Sequence, residues 1–241
     1  MSGHLSQSWL DGSERPDSEP VNARITRILR DQIMRGERAP GEIITIRRLA
    51  EQLDVSPMPV RDALRQLVAE RALEIVNGNR SVAVRPLDIA RLHDLRNIRE
   101  NLEGLAARLA AERWLPHQLA RIESILEASE AGGAEPDLAK NMEFHFAIYA
   151  ASQSAVLLPL IESLWLQFGP YLRRVREIAG DRLGTGDTYH REAVEALKRR
   201  DAERAQAAIV ADISRAMTLL IDEDGIANKG DRQGRPPSGV T

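Results

Sequence analysis

The sequence predicts a mainly α-helical chain in two folded parts, the first small and carrying a β-hairpin, the second a larger all-helical bundle. Two observations carry this. Apolar residues recur at the helical period through most of the chain, as in Ile25, Ile28, Leu29 and Ile33. The period fails at one place, where Leu73-Glu74-Ile75-Val76 and Ser81-Val82-Ala83-Val84 flank Asn77-Gly78-Asn79-Arg80. Asn-Gly between apolar runs is a strong hairpin signal, because both residues tolerate positive φ.

The elements follow in order. Residues 1–20 are polar, lack periodicity and read as a disordered tail. A helix begins at Val21 and stops near Gly36, and Pro40-Gly41 makes a turn. A second helix fits Ile46 to Leu53, with Leu49, Ala50 and Leu53 on one face. Asp54-Val55-Ser56 is a short break before a third helix, from Pro57 to about Arg71. The hairpin closes this part, which spans 21–86. After Pro86 the pattern is helical throughout, beginning with a stripe of Leu92, Leu95, Ile98, Leu102, Leu105 and Leu109. Further helices fit about 116–130, 136–152, 155–179, 187–199 and 202–222, giving a second part over 87–223. Residues 224–241 are rich in Gly, Pro and Ser and read as a second disordered tail.

Composition bounds the function. No cysteine is present among the 241 residues, which excludes a disulfide framework, thiolate metal ligands and a cysteine nucleophile. No apolar run is long enough to span a bilayer and the N-terminus lacks a signal-like apolar stretch, so a cytoplasmic protein without membrane contact is expected. The net charge of −3 speaks against nucleic acid when taken whole. Its distribution does not. Residues 1–20 carry −3, residues 21–86 carry +4 and residues 87–241 carry −4. Every basic residue of the middle block is Arg, the side chain best shaped for phosphates and base edges.

Helix, helix, short turn, helix and β-hairpin is the plan of a winged helix-turn-helix, whose third helix enters the major groove. Ser56 can cap that helix, Pro57 suits its first position, and Pro59 falls where no intrahelical N–H is needed. With Val60, Leu64 and Leu67 facing inward, Met58, Arg61, Asp62 and Arg65 face outward near the groove. Arg47 and Arg48 can meet phosphates, and the hairpin tip from Asn77 and Gly78 to Arg80 can approach the minor groove or backbone. An isolated surface Arg is more often merely solvated; here the order and spacing of all the pieces support contact with double-stranded DNA.

Three segments also resemble the DNA-binding domain of GntR-family bacterial transcription regulators: Pro40-Gly41-Glu42-x-Ile44; Arg47-x-Leu49-Ala50-Glu51-Gln52-Leu53-x-Val55-Ser56; and Pro59-Val60-Arg61-Asp62-Ala63-Leu64-x-x-Leu67. The resemblance runs from about Ile25 to Pro86 and implies that Arg47, Ser56, Arg61 and Gly78 contact an operator. One departure stands out. Pro57 and Met58 replace the Arg and Thr common in relatives, so a donor is lost and a thymine methyl becomes the natural contact.

In the second part, Asn141-x-x-x-His145 places an amide oxygen and an imidazole on one helix face, the spacing of metal ligands. His190 begins a later helix, and Asp212 interrupts an apolar run. A lone His on a helix is more often capping or half-buried. However, Asn141-Met142-Glu143-Phe144-His145 and His190-x-x-x-Val194-x-Ala196-Leu197-x-x-x-Asp201-x-x-x-Ala205 resemble the FCD effector domain of FadR-type GntR regulators, a helical bundle that often holds a divalent metal. By that resemblance His145 and His190 match two family ligands, Asn141 stands in place of an Asp, and Asp212 in place of a His. Such a mixed set suits Zn, Ni or Mn. The resemblance further implies a small carboxylate effector, with Arg99 facing the cavity or else paired with Glu103, and Tyr149 able to line it. Of Arg173, Arg174 and Arg176, at most one can point inward. Trp165, Phe168 and Tyr171 read as core or dimer packing.

These readings together describe a homodimeric transcription regulator, a repressor, controlled by a small organic acid bound at a metal. Two rival readings use the same residues: direct metal sensing without an acid, and a helical-bundle metalloenzyme acting through His145, His190 and Asp212. The metalloenzyme reading leaves residues 21–86 without a use and finds no spare acid–base pair, so no enzyme is expected.

Overall fold

Helix α1 (Val21–Met34) frames the N-terminal part by burying Ile25, Leu29 and Ile33. In the computed structural model, residues 19–78, 80–86, 88–131, 138–179 and 188–233 are described, residues 224–233 as backbone alone. The two expected tails therefore lie wholly or partly outside the described residues, as does Asn79 of the hairpin tip. Gly36, at φ 69°, closes α1, its N–H donating to the Ile33 carbonyl. Helix α2 (Ile46–Leu53) ends at Asp54 in the left-handed region, and α3 (Pro57–Ala69) sets Val60, Ala63, Leu64 and Leu67 against α1. Full burial of Val60, Leu64 and Leu67 contributes about 1.5–3 kcal/mol of hydrophobic stabilisation each.

Strands β2 (Leu73–Val76) and β3 (Ser81–Val84) form the expected hairpin, pairing Val76 with Ser81 and Leu73 with Val84. A third strand, β1 (Ile43–Thr45), adds antiparallel to the other edge of β3, giving the order β1-β3-β2. Sequence reading missed it because three residues are too few to show alternation.

The second part opens with α4 (Ile89–Arg113), capped by Asp88, whose Oδ1 accepts the Arg91 N–H at 2.8 Å. It continues through α5 (Pro116–Ala131), α6 (Leu138–Ala151), α7 (Leu157–Phe168), a 3-10 turn (Gly169–Tyr171), α8 (Leu172–Ala179), α9 (Thr188–Lys198) and α10 (Ala202–Gln233). Helix α10 packs along α4 more extensively than any other pair of elements. Among the described residues no helix is long and apolar enough to cross a membrane.

Three differences from the sequence reading have clear causes. The leucine stripe of α4 is not its buried face as a whole: Leu92 and Leu95 are buried, but Ile98 and Leu105 are 46% and 40% exposed. A seven-residue spacing drifts around a 3.6-residue helix. The face that turns inward instead carries Arg99, Glu103, Gly104, Ala106, Ala107, Ala110 and Ala111. These residues are mostly small, and a Cβ on Gly104 would lie 2.8 Å from Val210 of α10. Second, the helix expected over 155–179 is broken at Gly169-Pro170. A Cβ on Gly169 would lie 2.5 Å from the Ile33 carbonyl oxygen, so this turn seats directly on the end of α1 and joins the two parts. Arg30 of α1 reinforces the junction, pairing with Glu70, just past the end of α3, and with Glu162 of α7 at 3.2 Å. Third, α10 continues past Asp224-Gly225 and Gly230, because each glycine costs a helix only about 1 kcal/mol and the next proline is Pro236.

Candidate nucleic-acid interface and metal centre

The start of α3 is built to present side chains outward. Ser56 occupies the N-cap position in extended backbone, yet its hydroxyl makes no capping bond. Pro59, the third helical residue, offers no N–H for a cap to meet, and the Ser56 hydroxyl stands exposed on the surface. Met58 beside it is 61% exposed. Arg61 is exposed one turn along, and Arg65 follows with its guanidinium 4.0 Å from Asp62. Arg47, at the start of α2, is almost fully exposed and held by Glu51 at 2.8 Å. Asn77 and Gly78 take φ 52° and 61° at the exposed hairpin tip. All seven sequence-selected residues are thus surface residues of one small domain, and the two that required positive φ have it.

A second constellation lies inside the bundle. A cavity of about 80 Å³ is lined by residues that include Arg99, Asn141, His145, Trp165, Phe168, Arg176, His190, Asp212 and Arg215. Asp212 Oδ2 lies 3.3 Å from His145 Nε2 and 3.8 Å from His190 Nε2, and one ligand atom from each residue falls within 4.8 Å of the others. Donors about 2.1 Å from a common ion stand roughly 3.0–3.4 Å apart; the Asp212–His145 pair already has that spacing, and His190 must draw in for the three to close on a divalent cation. Phe144 stacks on His190 with ring centroids 4.3 Å apart, and the His145 and His190 rings meet edge to face at 5.0 Å. Burial lowers the pKa of His145 against the opposing pull of Asp212, which favours the neutral imidazole a metal requires. Burial alone would raise the Asp212 carboxyl; hydrogen bonds and charge from His145 and His190 outweigh it and hold the group below the usual carboxylate range.

Behind this wall runs a buried hydrogen-bond network. Glu103, fully buried, accepts from Arg99 Nε at 2.6 Å, from Trp165 Nε1 at 2.9 Å and from the Tyr149 hydroxyl at 2.5 Å. Tyr149 Oη also lies 3.0 Å from His145 Nδ1. Burial, together with Glu103, raises the Tyr149 phenol well above its ordinary pKa, so it keeps its proton. The Arg99 guanidinium rests over the Phe168 ring at 4.0 Å and is thereby fixed in both plane and position.

The structure brings Asn141, His145, His190, Asp212 and Arg99 to one cavity. Arg99 is both paired with Glu103 and part of the wall, so the two expectations for it coexist. Tyr149 lies behind the wall and not in it, 1% exposed and bonded to Glu103. Of the arginine run, Arg176 reaches the cavity, while Arg174 pairs with Glu177 and Glu223 on the surface. Trp165 and Phe168 are core residues that also wall the cavity. Sequence reading missed Arg215 and the central role of Glu103. The available signal was two charges at i, i+4 on the alanine-rich face of α4.

Comparison with known proteins agrees with both halves. Residues 22–82 match the family "Bacterial regulatory proteins, gntR family", and residues 94–215 match the FCD domain. The HTH-type transcriptional regulator McbR of Escherichia coli is 32% identical over 172 residues, covering 70% of this chain and 77% of McbR. A probable D-xylose utilization operon transcriptional repressor of Paenarthrobacter nicotinovorans is 28% identical over 220 residues, covering 88% of this chain and 94% of the repressor. The solved structure of E. coli McbR/YncC superposes with a TM-score of 0.78 at 27% identity, covering 86% of this chain and 99% of that one. These families and relatives are regulators and not enzymes. The chain belongs to the GntR family of bacterial transcription regulators, with an N-terminal winged helix-turn-helix and a C-terminal FCD domain.

Proposed function

We propose that this regulator is a cytoplasmic homodimeric repressor that grips a palindromic operator and releases it when a small carboxylate effector binds at a metal in the FCD domain. The observation that carries this reading is the convergence of a cation-binding set, His145, His190 and Asp212, with Arg99, Arg176 and Arg215 in one small cavity. Asn141 lines the same wall and supplies a neutral oxygen. Zn, Ni or Mn suits these donors, and when bound such an ion offers open positions to an anionic oxygen. Arg99 supplies a fixed fork of N–H donors beside that position, which suits a carboxylate. Glu103 neutralises Arg99, so the remaining arginines and the ion set the attraction for an anion.

The route to DNA is short. Phe168, under the Arg99 guanidinium, is followed directly by Gly169, which seats on Ile33 and Met34 of α1. A ligand that shifts Arg99 and Phe168 therefore pushes on the first helix of the winged domain. Dimerisation is supported by the exposed seam of α4: Ile98 and Leu105 recur seven residues apart, with half-buried Leu102 between them. A second copy of the same helix covers such a seam by two-fold symmetry.

The reading is tested by fluorescence anisotropy with the chain's own upstream DNA, zinc and a panel of small mono- and dicarboxylates. Binding that weakens steeply as salt rises, and is relieved by at least one acid with zinc, is the expected result. Release by zinc alone would instead favour direct metal sensing, and no binding at low salt would remove the operator reading. Ile98→Glu with Leu105→Glu is expected to yield a monomer in sedimentation.

A further inference from the structure

One carboxylate, Glu103, reaches both working parts of the cavity without lining it. Its oxygens hold Arg99 through Nε at 2.6 Å and accept the Tyr149 hydroxyl at 2.5 Å. Because it also accepts the Trp165 indole N–H, Glu103 acts only as an acceptor here. The phenol has one proton, and that proton goes to Glu103. The Tyr149 oxygen can then only accept from its other neighbour, His145 Nδ1, at 3.0 Å. When Nε2 gives up its proton to serve as a metal ligand, the remaining ring proton sits on Nδ1, where the Tyr149 oxygen accepts it. Nε2 then faces Asp212 Oδ2 at 3.3 Å across the place a cation would take.

We propose that Glu103 and Tyr149 are positioning residues that fix His145 in the Nδ1–H form and so aim its Nε2 lone pair at the metal. The proposal rests on the metal reading above. Neither residue touches the ion. Outer hydrogen-bond partners of this kind orient a ligand and raise its basicity, and losing one typically weakens metal binding about 10–100-fold. The same carboxylate also orients Arg99, so the arrangement ties ligand geometry at the metal to the donor fork beside it.

The test uses the full-length protein and zinc as the probe. Zinc affinity is measured by competition calorimetry for wild type, Tyr149→Phe and Glu103→Gln. The ring N–H of His145 is followed by proton–nitrogen NMR in the zinc-loaded proteins. Wild type is expected to bind zinc and show a downfield, slowly exchanging Nδ1–H. Tyr149→Phe is expected to bind about 10–100-fold more weakly, with that resonance moved upfield and exchanging faster. Equal zinc affinity and an unchanged resonance in Tyr149→Phe overturn the relay while leaving the metal reading in place. Failure of wild type to bind zinc, nickel or manganese overturns both. Glu103→Gln is expected to weaken zinc at least as much as Tyr149→Phe. If it does not fold, Tyr149→Phe and the proton resonance decide alone.

Discussion

The DNA face and the sensor cavity use similar residue types under opposite conditions. On the winged domain, Arg47, Ser56, Met58, Arg61 and Arg65 stand exposed on a small core, and few protein groups bind them. In the cavity, Arg99 is 2% exposed and Glu103 fully buried, each locked by several partners. An exposed Arg is positioned by its helix and spends its charge on a partner molecule. A buried Arg spends much of its charge on its own carboxylate, and contributes shape and fixed donors. The difference predicts which substitutions harm the fold and which harm only binding.

The largest expected effect lies in the cavity. Glu103→Ala strands a buried guanidinium and is expected to cost about 3–5 kcal/mol of stability in chemical denaturation. A loss below about 1 kcal/mol would mean that Arg99 is better hydrated than its burial indicates. The matching change on the DNA face, Arg61→Ala, is expected to shift stability by no more than about 0.5 kcal/mol, yet to remove about 1–3 kcal/mol of operator binding. Unchanged operator affinity would show that α3 is not the reading helix. Between the two regions, Gly169→Ala forces a Cβ against Ile33 and Met34, and overpacking of that kind costs about 1–3 kcal/mol. Its distinctive expected outcome is weaker control of operator binding by the effector, with zinc affinity retained. The smallest effect belongs to Arg47→Ala, which should weaken binding similarly across DNA sequences and reduce the salt slope by about 1.

The same contrast explains what the sequence revealed. The winged domain was readable almost residue by residue, since its signals are local: Asn77-Gly78 for the turn, Pro57 for a helix start, and helical spacing for Val60, Leu64 and Leu67. Only β1 escaped, being short and defined by a partner forty residues away. In the bundle, local spacing placed Asn141 beside His145, and family resemblance added His190 and Asp212. The Glu103 hub was hidden because two of its partners, Tyr149 of α6 and Trp165 of α7, lie 46 and 62 residues away, and an i, i+4 Arg–Glu pair looks the same on a solvated face. The break at Gly169-Pro170 was hidden too, because its cause is a backbone contact with α1. For α4, the leucine stripe indicated one face, and packing against α10 buries the alanine-rich face instead.

The central claim is that occupancy of the cavity and grip on the operator are coupled, and linkage makes this measurable from either end. The direct measurement is calorimetric titration of an operator-releasing acid into zinc-loaded protein, with and without saturating operator duplex. Coupling of about 1–3 kcal/mol is expected, so the acid should bind roughly 5–150-fold more weakly to the DNA-bound protein, by the same factor with which it weakens operator binding. Equal acid affinity in the two titrations would contradict the account.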